Sequence, residues 1–278
     1  MKHALWLLAL AALAAERQVD PTFLRRNPAR VAEKPADITT LTCGYKPLFG
    51  AGDPDARMLR GIARYGEARV AGGGTCEAVS YPAEEQIYYV LEGSGVLLHG
   101  AEQTPVRAGD FLYLGPGLRH AMSNPGASPC RFLIMGFRVP AGSTAPARLP
   151  IANIADVPLQ TVGNHPPSTQ YRLMIGDRSS TRDKLAAGLT VTSLFIMEFA
   201  PGGTNFPHHH EREEEIYILL DGEGDMVAGG GMDGVEGRHP AKPGDTYFFR
   251  LNCTVGFYNG KTPGRILAVR SLFPFPRK

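Results

Sequence analysis

Three side chains in one short stretch carry the chemistry of a metal site. His208 and His210 are separated by one residue, and Glu215 follows five positions after His210. The run IYILL after Glu215 is apolar, with β-branched and aromatic members, and predicts a strand. Successive side chains of a strand point to opposite faces, so His208 and His210 share a face while His209 points away. A turn over Glu211 to Glu214 brings Glu215 back beside the two imidazoles on the next strand. Two imidazoles and one carboxylate converging on a point form a divalent-metal site with positions left open for water or substrate. Glu211, Arg212, Glu213 and Glu214 read as a solvated turn. Glu214 would replace Glu215 as ligand if that turn were one residue shorter.

Such a site needs strands to hold it, and the chain supplies them in duplicate. QIYYVLEGSG at 86–95 parallels EIYILLDGEG at 215–224, and AGDFLYL at 108–114 parallels PGDTYFF at 243–249. Short apolar runs broken by glycine and proline turns continue through both halves, with 33 Gly and 23 Pro in 278 residues. Self-similarity of this kind marks a duplicated unit, and many short strands mark a sandwich or jelly roll. Strands are expected over 58–70, 75–81, 86–91, 96–98, 111–114 and 131–139. In the second half they are expected over 171–176, 189–199, 225–228, 246–249 and 265–272. Residues 229–239 read as a Gly-rich loop insertion.

The spacing Gly202, five residues, His208-x-His210, four residues, Glu215, six residues, Gly222 resembles the first motif of the cupin family. The whole chain from about residue 57 on is similar to a bicupin. The resemblance implies an all-β fold of two tandem cupin (double-stranded β-helix, jelly-roll) barrels. Residues 57–140 form the first, 141–170 the connection, with a short helix or strand around 151–157, and 171–278 the second. It also implies a second motif that adds a histidine and an asparagine. The first copy fits that motif loosely through Gly109, Gly115-Pro116-Gly117, His120 and Asn124. In its first motif, however, Val79 and Tyr81 stand in place of the histidines and Gln86 in place of the glutamate. Tyr81, Gln86 and His120 are then left as the polar groups of a possible second pocket for an organic ligand. The second copy is the reverse, because Val255 occupies the place of the family's fourth ligand. Cys253, Asn252, Tyr247 and Tyr258 are the side chains near enough in sequence to replace it. Cys253 would favour zinc or copper. Arg250 is expected at the pocket mouth, where a guanidinium would hold a substrate carboxylate. Arg250, Tyr247 and Tyr258 are the candidate catalytic residues.

The resemblance implies a divalent ion (Fe, Mn, Zn or Ni) and an enzyme of dioxygenase, isomerase, lyase or hydrolase type acting on a small polar substrate. Bicupin ureidoglycine aminohydrolases also keep their metal in the C-terminal copy, but their ligand pattern is not evident here. A non-catalytic, exported sugar- or metabolite-binding bicupin is the alternative. The net charge of +2 and the lack of a basic stripe argue against nucleic acid as a partner. Met1 to Ala15 has a positive start, an apolar run from Ala4 and a small-x-small site at Ala12-Leu13-Ala14. It predicts a secretory leader too short to span a bilayer, and so a protein exported to a bacterial periplasm with no membrane span after cleavage. An oxidising compartment permits disulfides among Cys43, Cys76, Cys130 and Cys253, and four cysteines allow three full pairings. Residues 16–56 read as a polar arm that lies across a neighbouring domain or subunit, a possible route to a homo-oligomer, or as a disordered terminus.

Overall fold

The structure is a computed structural model, and it describes residues 21–163, 165–230 and 236–272. The expected leader, Met1 to Ala15, lies outside the described residues. Each half of the chain forms a jelly roll of two facing sheets. In the first, a six-stranded sheet runs Ile151–Asn153, Asp110–Leu114, Glu84–Glu92, Cys130–Arg138, Ile62–Val70, Cys43–Gly50. It faces a three-stranded sheet built on Ser94–His99. In the second, a seven-stranded sheet runs Phe23–Arg26, Thr246–Phe249, Glu213–Asp221, Gly264–Leu272, Val191–Phe199, Thr169–Asp177, Leu185–Gly188. It faces a four-stranded sheet that starts at His208–His209 and Thr254–Asn259. The expectation of closed barrels is corrected, because the facing sheets of each half stay separate sheets. Isolated bridges such as Thr75↔Ser123 and Val79↔His120 are all that the expected 75–81 strand contributes. The edges are covered by short added strands instead of being closed by a ladder.

Those covering strands come from the segments outside the two copies. Phe23–Arg26, from the arm before the first copy, pairs antiparallel with Thr246–Phe249 of the second. Ile151–Asn153, from the connection, pairs with Asp110–Leu112 of the first. In each case an asparagine follows or ends the strand and reaches the Gly-Asp turn of the partner sheet. Asn27 Nδ2 donates to Asp245 Oδ1 at 2.9 Å, and Asn153 Nδ2 donates to Asp110 Oδ1 at 2.7 Å. From residue 21 on the arm is therefore ordered and shared: Phe23–Arg26 joins the second half's sheet and Cys43–Gly50 the first half's.

The two large sheets pack back to back, which explains why their central strands are apolar on both faces. In Glu213–Asp221, Ile216 and Ile218 join the cluster shared by both halves, while Tyr217 and Leu219 point into the second jelly roll. In Glu84–Glu92, Ile87 and Tyr89 face the partner, and Tyr88 and Val90 face the first interior. Two buried carboxylates bolt this interface. Glu85 accepts from the backbone N–H of Leu189, Thr190 and Val191 at 2.7–2.8 Å and from the Thr190 hydroxyl at 2.7 Å. Glu214, its counterpart in the second copy, accepts from the N–H groups of Arg60 and Gly61 at 2.8–3.1 Å and of Ile62 at 3.3 Å. Glu214 is thus neither a solvated turn residue nor a metal ligand. Cys43 and Cys76 form a disulfide between the edge of the first sheet and the loop after Val70.

Candidate metal centre

The short strand His208–His209 pairs with Thr254–Asn259, so that His208 lies opposite Val255. In the first half Val79 bridges His120 in the same arrangement. Each copy therefore keeps one histidine and one valine at this cross-strand pair, and position 255 is confirmed as the counterpart of His120. Val255 is fully buried among apolar neighbours and adds no donor.

His208, His210 and Glu215 converge, with one ligand atom from each lying within 4.8 Å of the others. His208 Nδ1 donates to the carbonyl of Phe206 at 2.9 Å, which leaves Nε2 with its lone pair facing the group. Anchoring one ring nitrogen to a backbone carbonyl is how ligating histidines are oriented. Phe206 holds this carbonyl in a left-handed backbone conformation (φ 54°) although half exposed, a strain that tends to sit at functional sites. Burial pushes the His208 imidazole below its ordinary pKa, which keeps it neutral and fit to bind a cation. His210 Nε2 lies 3.3 Å from Glu215 Oε2, and its Nδ1 lies 3.6 Å from Glu213 Oε2. Glu213 accepts from the Thr192 hydroxyl and lies 3.5 Å from Arg270 Nη1. It backs His210 and is no solvated turn residue.

Both oxygens of Glu215 and Nε2 of His210 are buried without a hydrogen-bond partner. Buried polar atoms left in this state are costly, and the three atoms face one another. That is the fit a divalent ion requires. The cavity over the group measures about 110 Å3 and includes Tyr171, Arg182, Ser193 and Arg270 in its wall. Tyr171 Oη, Ser193 Oγ and Arg270 Nε are also buried and without a hydrogen-bond partner. Burial, reinforced by Glu215, raises the Tyr171 phenol far above its ordinary pKa, so it remains a hydroxyl donor. Larger surface grooves of about 740 and 590 Å3 lie elsewhere. Among the described residues, however, the ligand group occurs at this cavity.

The expected catalytic residues do not line it. Arg250 turns away and donates to the carbonyl of Pro21 in the arm. Tyr247 stacks on Phe249 and lies under the Arg25 guanidinium at 5.4 Å. Tyr258 sits on the outer face of its strand with Arg238 over its ring at 4.0 Å, because strand alternation places it opposite to Val255 and Phe257. Cys253 is buried and exchanges hydrogen bonds with the backbone of Gly229. Asn252 lies outside both the cavity wall and the ligand group. Arg270 stands at the cavity where Arg250 is expected. It is paired in register with Glu215 and its Nε lies 3.8 Å from Glu215 Oε1. Only the pairing of the last strand with the motif strand, invisible in the sequence, places it there.

The possible pocket of the first half is filled. His120 Nδ1 donates to the Leu118 carbonyl at 2.8 Å, so Nε2 accepts from the Tyr88 hydroxyl at 2.9 Å. Tyr81 lies under the Arg64 guanidinium at 3.9 Å, and Gln86 donates to Glu84 at 2.6 Å. The space left beside His120 is about 10 Å3, at the lower limit for one water. Tyr88, absent from the motif reading, satisfies the histidine, and no organic ligand fits.

Comparison with known proteins agrees with this architecture. Residues 66–136 and 195–270, more than half of the chain, match the Cupin domain family, and the chain belongs to it. Over 53 residues the chain is 36% identical to an uncharacterized protein of Methanocaldococcus jannaschii, and over 53 residues it is 34% identical to an oxalate-binding protein of Thermotoga maritima. These matches cover 19% of this chain, and 42% and 44% of those proteins. The chain thus spans less than half the length of the curated relatives it matches. Among solved structures, a putative glyoxylate-induced protein from Pseudomonas aeruginosa superposes with a TM-score of 0.73 at 16% identity, covering 95% of this chain and 94% of that one. Protein Ylba from E. coli gives 0.69 at 16%, covering 96% and 98%. Oxalate decarboxylase from Lactobacillus farciminis gives 0.67 at 14%, covering 92% and 88%. At these identities the likeness shows the fold.

Proposed function

We propose that the chain is a divalent-metal-dependent cupin enzyme whose C-terminal site acts on a small carboxylate carrying a second oxygen donor, such as a dicarboxylate or a 2-oxo acid. One observation carries the reading: Glu215 and His210 present three buried, unpartnered ligand atoms to one another beside His208. Those three residues would hold the ion. Once bound, the ion supplies a Lewis acid that polarises the substrate. The chain does the rest. Arg270 and Arg182 offer guanidinium groups to the substrate carboxylate, while Tyr171 and Ser193 donate hydroxyl hydrogen bonds. A cavity of about 110 Å3 suits an ion with a ligand of a few heavy atoms. This reading favours lyase- or hydrolase-type chemistry on a small acid.

A non-catalytic metabolite binder is the second reading. It is favoured by the 34% identical segment shared with an oxalate-binding protein. Export belongs to the same proposal. The Cys43–Cys76 disulfide supports an oxidising compartment, in line with the leader-like Met1 to Ala15. Among the described residues no helix is long and apolar enough to cross a membrane.

The test begins with elemental analysis of untagged protein beside His210→Ala. Near-stoichiometric metal in the parent, lost in the variant, is the expected result. Oxalate and other small acids are then titrated calorimetrically into the loaded protein and into Arg270→Lys. Binding weakened in Arg270→Lys, with consumption of the bound acid by the parent, supports the enzyme. Binding without consumption leaves the binder. No metal in the parent after reconstitution removes both forms of the metal centre.

A further inference from the structure

The metal centre lacks the donor that a second-motif histidine would supply, since Val255 stands there. A third imidazole reaches the same cavity from a part of the chain outside both motifs. His165 belongs to the segment that connects the two halves. Its N–H closes a turn onto the Val162 carbonyl at 3.2 Å, and Pro166-Pro167 after it restrict the backbone to extended forms. Its Nδ1 donates to the Asn205 carbonyl at 3.0 Å. A carbonyl only accepts, so the proton is on Nδ1 and the lone pair on Nε2. His208 is anchored in the same way on Phe206, two residues before it. The His165 ring lies 5.8 Å from the His208 ring at 71°, and the two motif imidazoles, His208 and His210, lie 5.0 Å apart at 88°. The ring also packs on Tyr171 at 5.2 Å and forms part of the cavity wall.

We propose that His165 is the third nitrogen ligand of the metal centre, delivered by the inter-domain segment in place of residue 255. It stands just outside the tight group of His208, His210 and Glu215, so its ring closes inward on the ion. The proposal rests on the metal-centre reading above. Its consequence is architectural: the site draws ligands from the motif of the second half and from the segment that ties the halves together. Seating that segment and holding the ion then become one event.

The experiment loads untagged full-length protein with one equivalent of Cu2+ and counts coordinated imidazoles by pulsed electron paramagnetic resonance. Affinity is measured in parallel by competition with a chelator. Wild type is compared with His165→Phe, which keeps the ring packing without a nitrogen, with His165→Ala, and with His208→Ala as the control for the site itself. The expected result is three imidazoles in wild type and two in both His165 variants. Outer-sphere partners of a ligand cost about 10- to 100-fold in affinity when removed. A lost ligand is therefore expected to weaken binding by more than about 100-fold. Two imidazoles in wild type, unchanged in His165→Phe and His165→Ala but reduced in His208→Ala, overturn the proposal and leave the metal centre standing. Binding that His208→Ala does not alter overturns the metal centre, and the proposal with it. Circular dichroism of each variant shows that it is folded, and agreement between the Phe and Ala replacements guards against an effect of packing alone.

Discussion

Glu215→Gln is expected to act with opposite signs on the metal-free and the metal-loaded protein. Glu215 is 1% exposed, and neither oxygen has a hydrogen-bond partner. Its nearest nitrogen neighbours are His210 Nε2 at 3.3 Å and Arg270 Nε at 3.8 Å, contacts too long or too oblique to satisfy a carboxylate. A buried polar group in that state costs about 1–3 kcal/mol. The amide keeps the shape and removes the charge, and Arg270 retains Glu213 as counter-ion. Since the long contacts offset part of the cost, the metal-free protein should gain about 1 kcal/mol. With metal the balance reverses. An ion at 100 times its Kd stabilises the native state by about 2.7 kcal/mol. For a chain of this size that is about 5–10 °C in Tm, and Glu215→Gln should show none of it. The assay is thermal unfolding of chelator-stripped protein, with and without Mn2+ or Zn2+. Loss of stability in the stripped variant would mean that the carboxylate is already satisfied by its neighbours. An equal metal shift in both proteins would mean that the ion binds elsewhere. Either result refutes the reasoning.

Two further predictions concern what holds the site in place. Glu85→Ala strips the acceptor from three backbone N–H groups and the Thr190 hydroxyl at the interface between halves. It should cost about 3 kcal/mol or more and separate denaturant unfolding, followed by circular dichroism, into two transitions, whereas one unchanged transition would show that the clamp is dispensable. Asp245 is held below the ordinary carboxylate range: burial alone would raise it, but hydrogen bonds from Asn27 and Arg25 outweigh that effect. A depressed folded pKa gives stability that is present above the unfolded value of about 3.9 and lost as pH falls through the folded one. Asp245→Asn should therefore flatten the loss of urea resistance below about pH 4, and an unchanged acid limb would remove Asp245 from its causes.

The central strands of both halves and the convergence of His208, His210 and Glu215 were legible because they rest on short-range rules. Apolar runs locate strands, and a one-residue spacing on a strand fixes a shared face. What escaped depends on pairing across the chain. Phe23–Arg26 is too short to signal a strand and exists because the second half offers an open edge, whereas the short element expected around 151–157 is present as the strand Ile151–Asn153. Glu236–Ala241 is a strand that begins within the expected loop and runs past its end, stabilised by its ladder with Gly224–Gly229 despite carrying Gly, His and Pro. Arg250 is near the second motif in sequence but not near the site, and Arg270 is near the site but far from the motif in sequence. The register Glu215↔Arg270 decides it.

The same long-range logic separates the two copies. A cupin interior has room for an ion only if its inward polar groups are left for the ion to satisfy. In the first half the groups at the motif positions have found protein partners: His120 takes Tyr88 and the Leu118 carbonyl, Gln86 Nε2 takes Glu84, and Tyr81 takes Arg64, although Gln86 Oε1 stays unpartnered. The interior closes to about 10 Å3. In the second half Glu215, His210, Tyr171, Ser193 and Arg270 all retain unpartnered buried atoms, around about 110 Å3. Leaving so many groups unsatisfied is unfavourable in the empty protein. The rest of the fold offsets it through the shared apolar interface and the Glu85 and Glu214 clamps, which belong to both halves. Under the proposed function, the first copy contributes packing and not ligands. It supplies the rigid back wall against which the second keeps an unsatisfied site open.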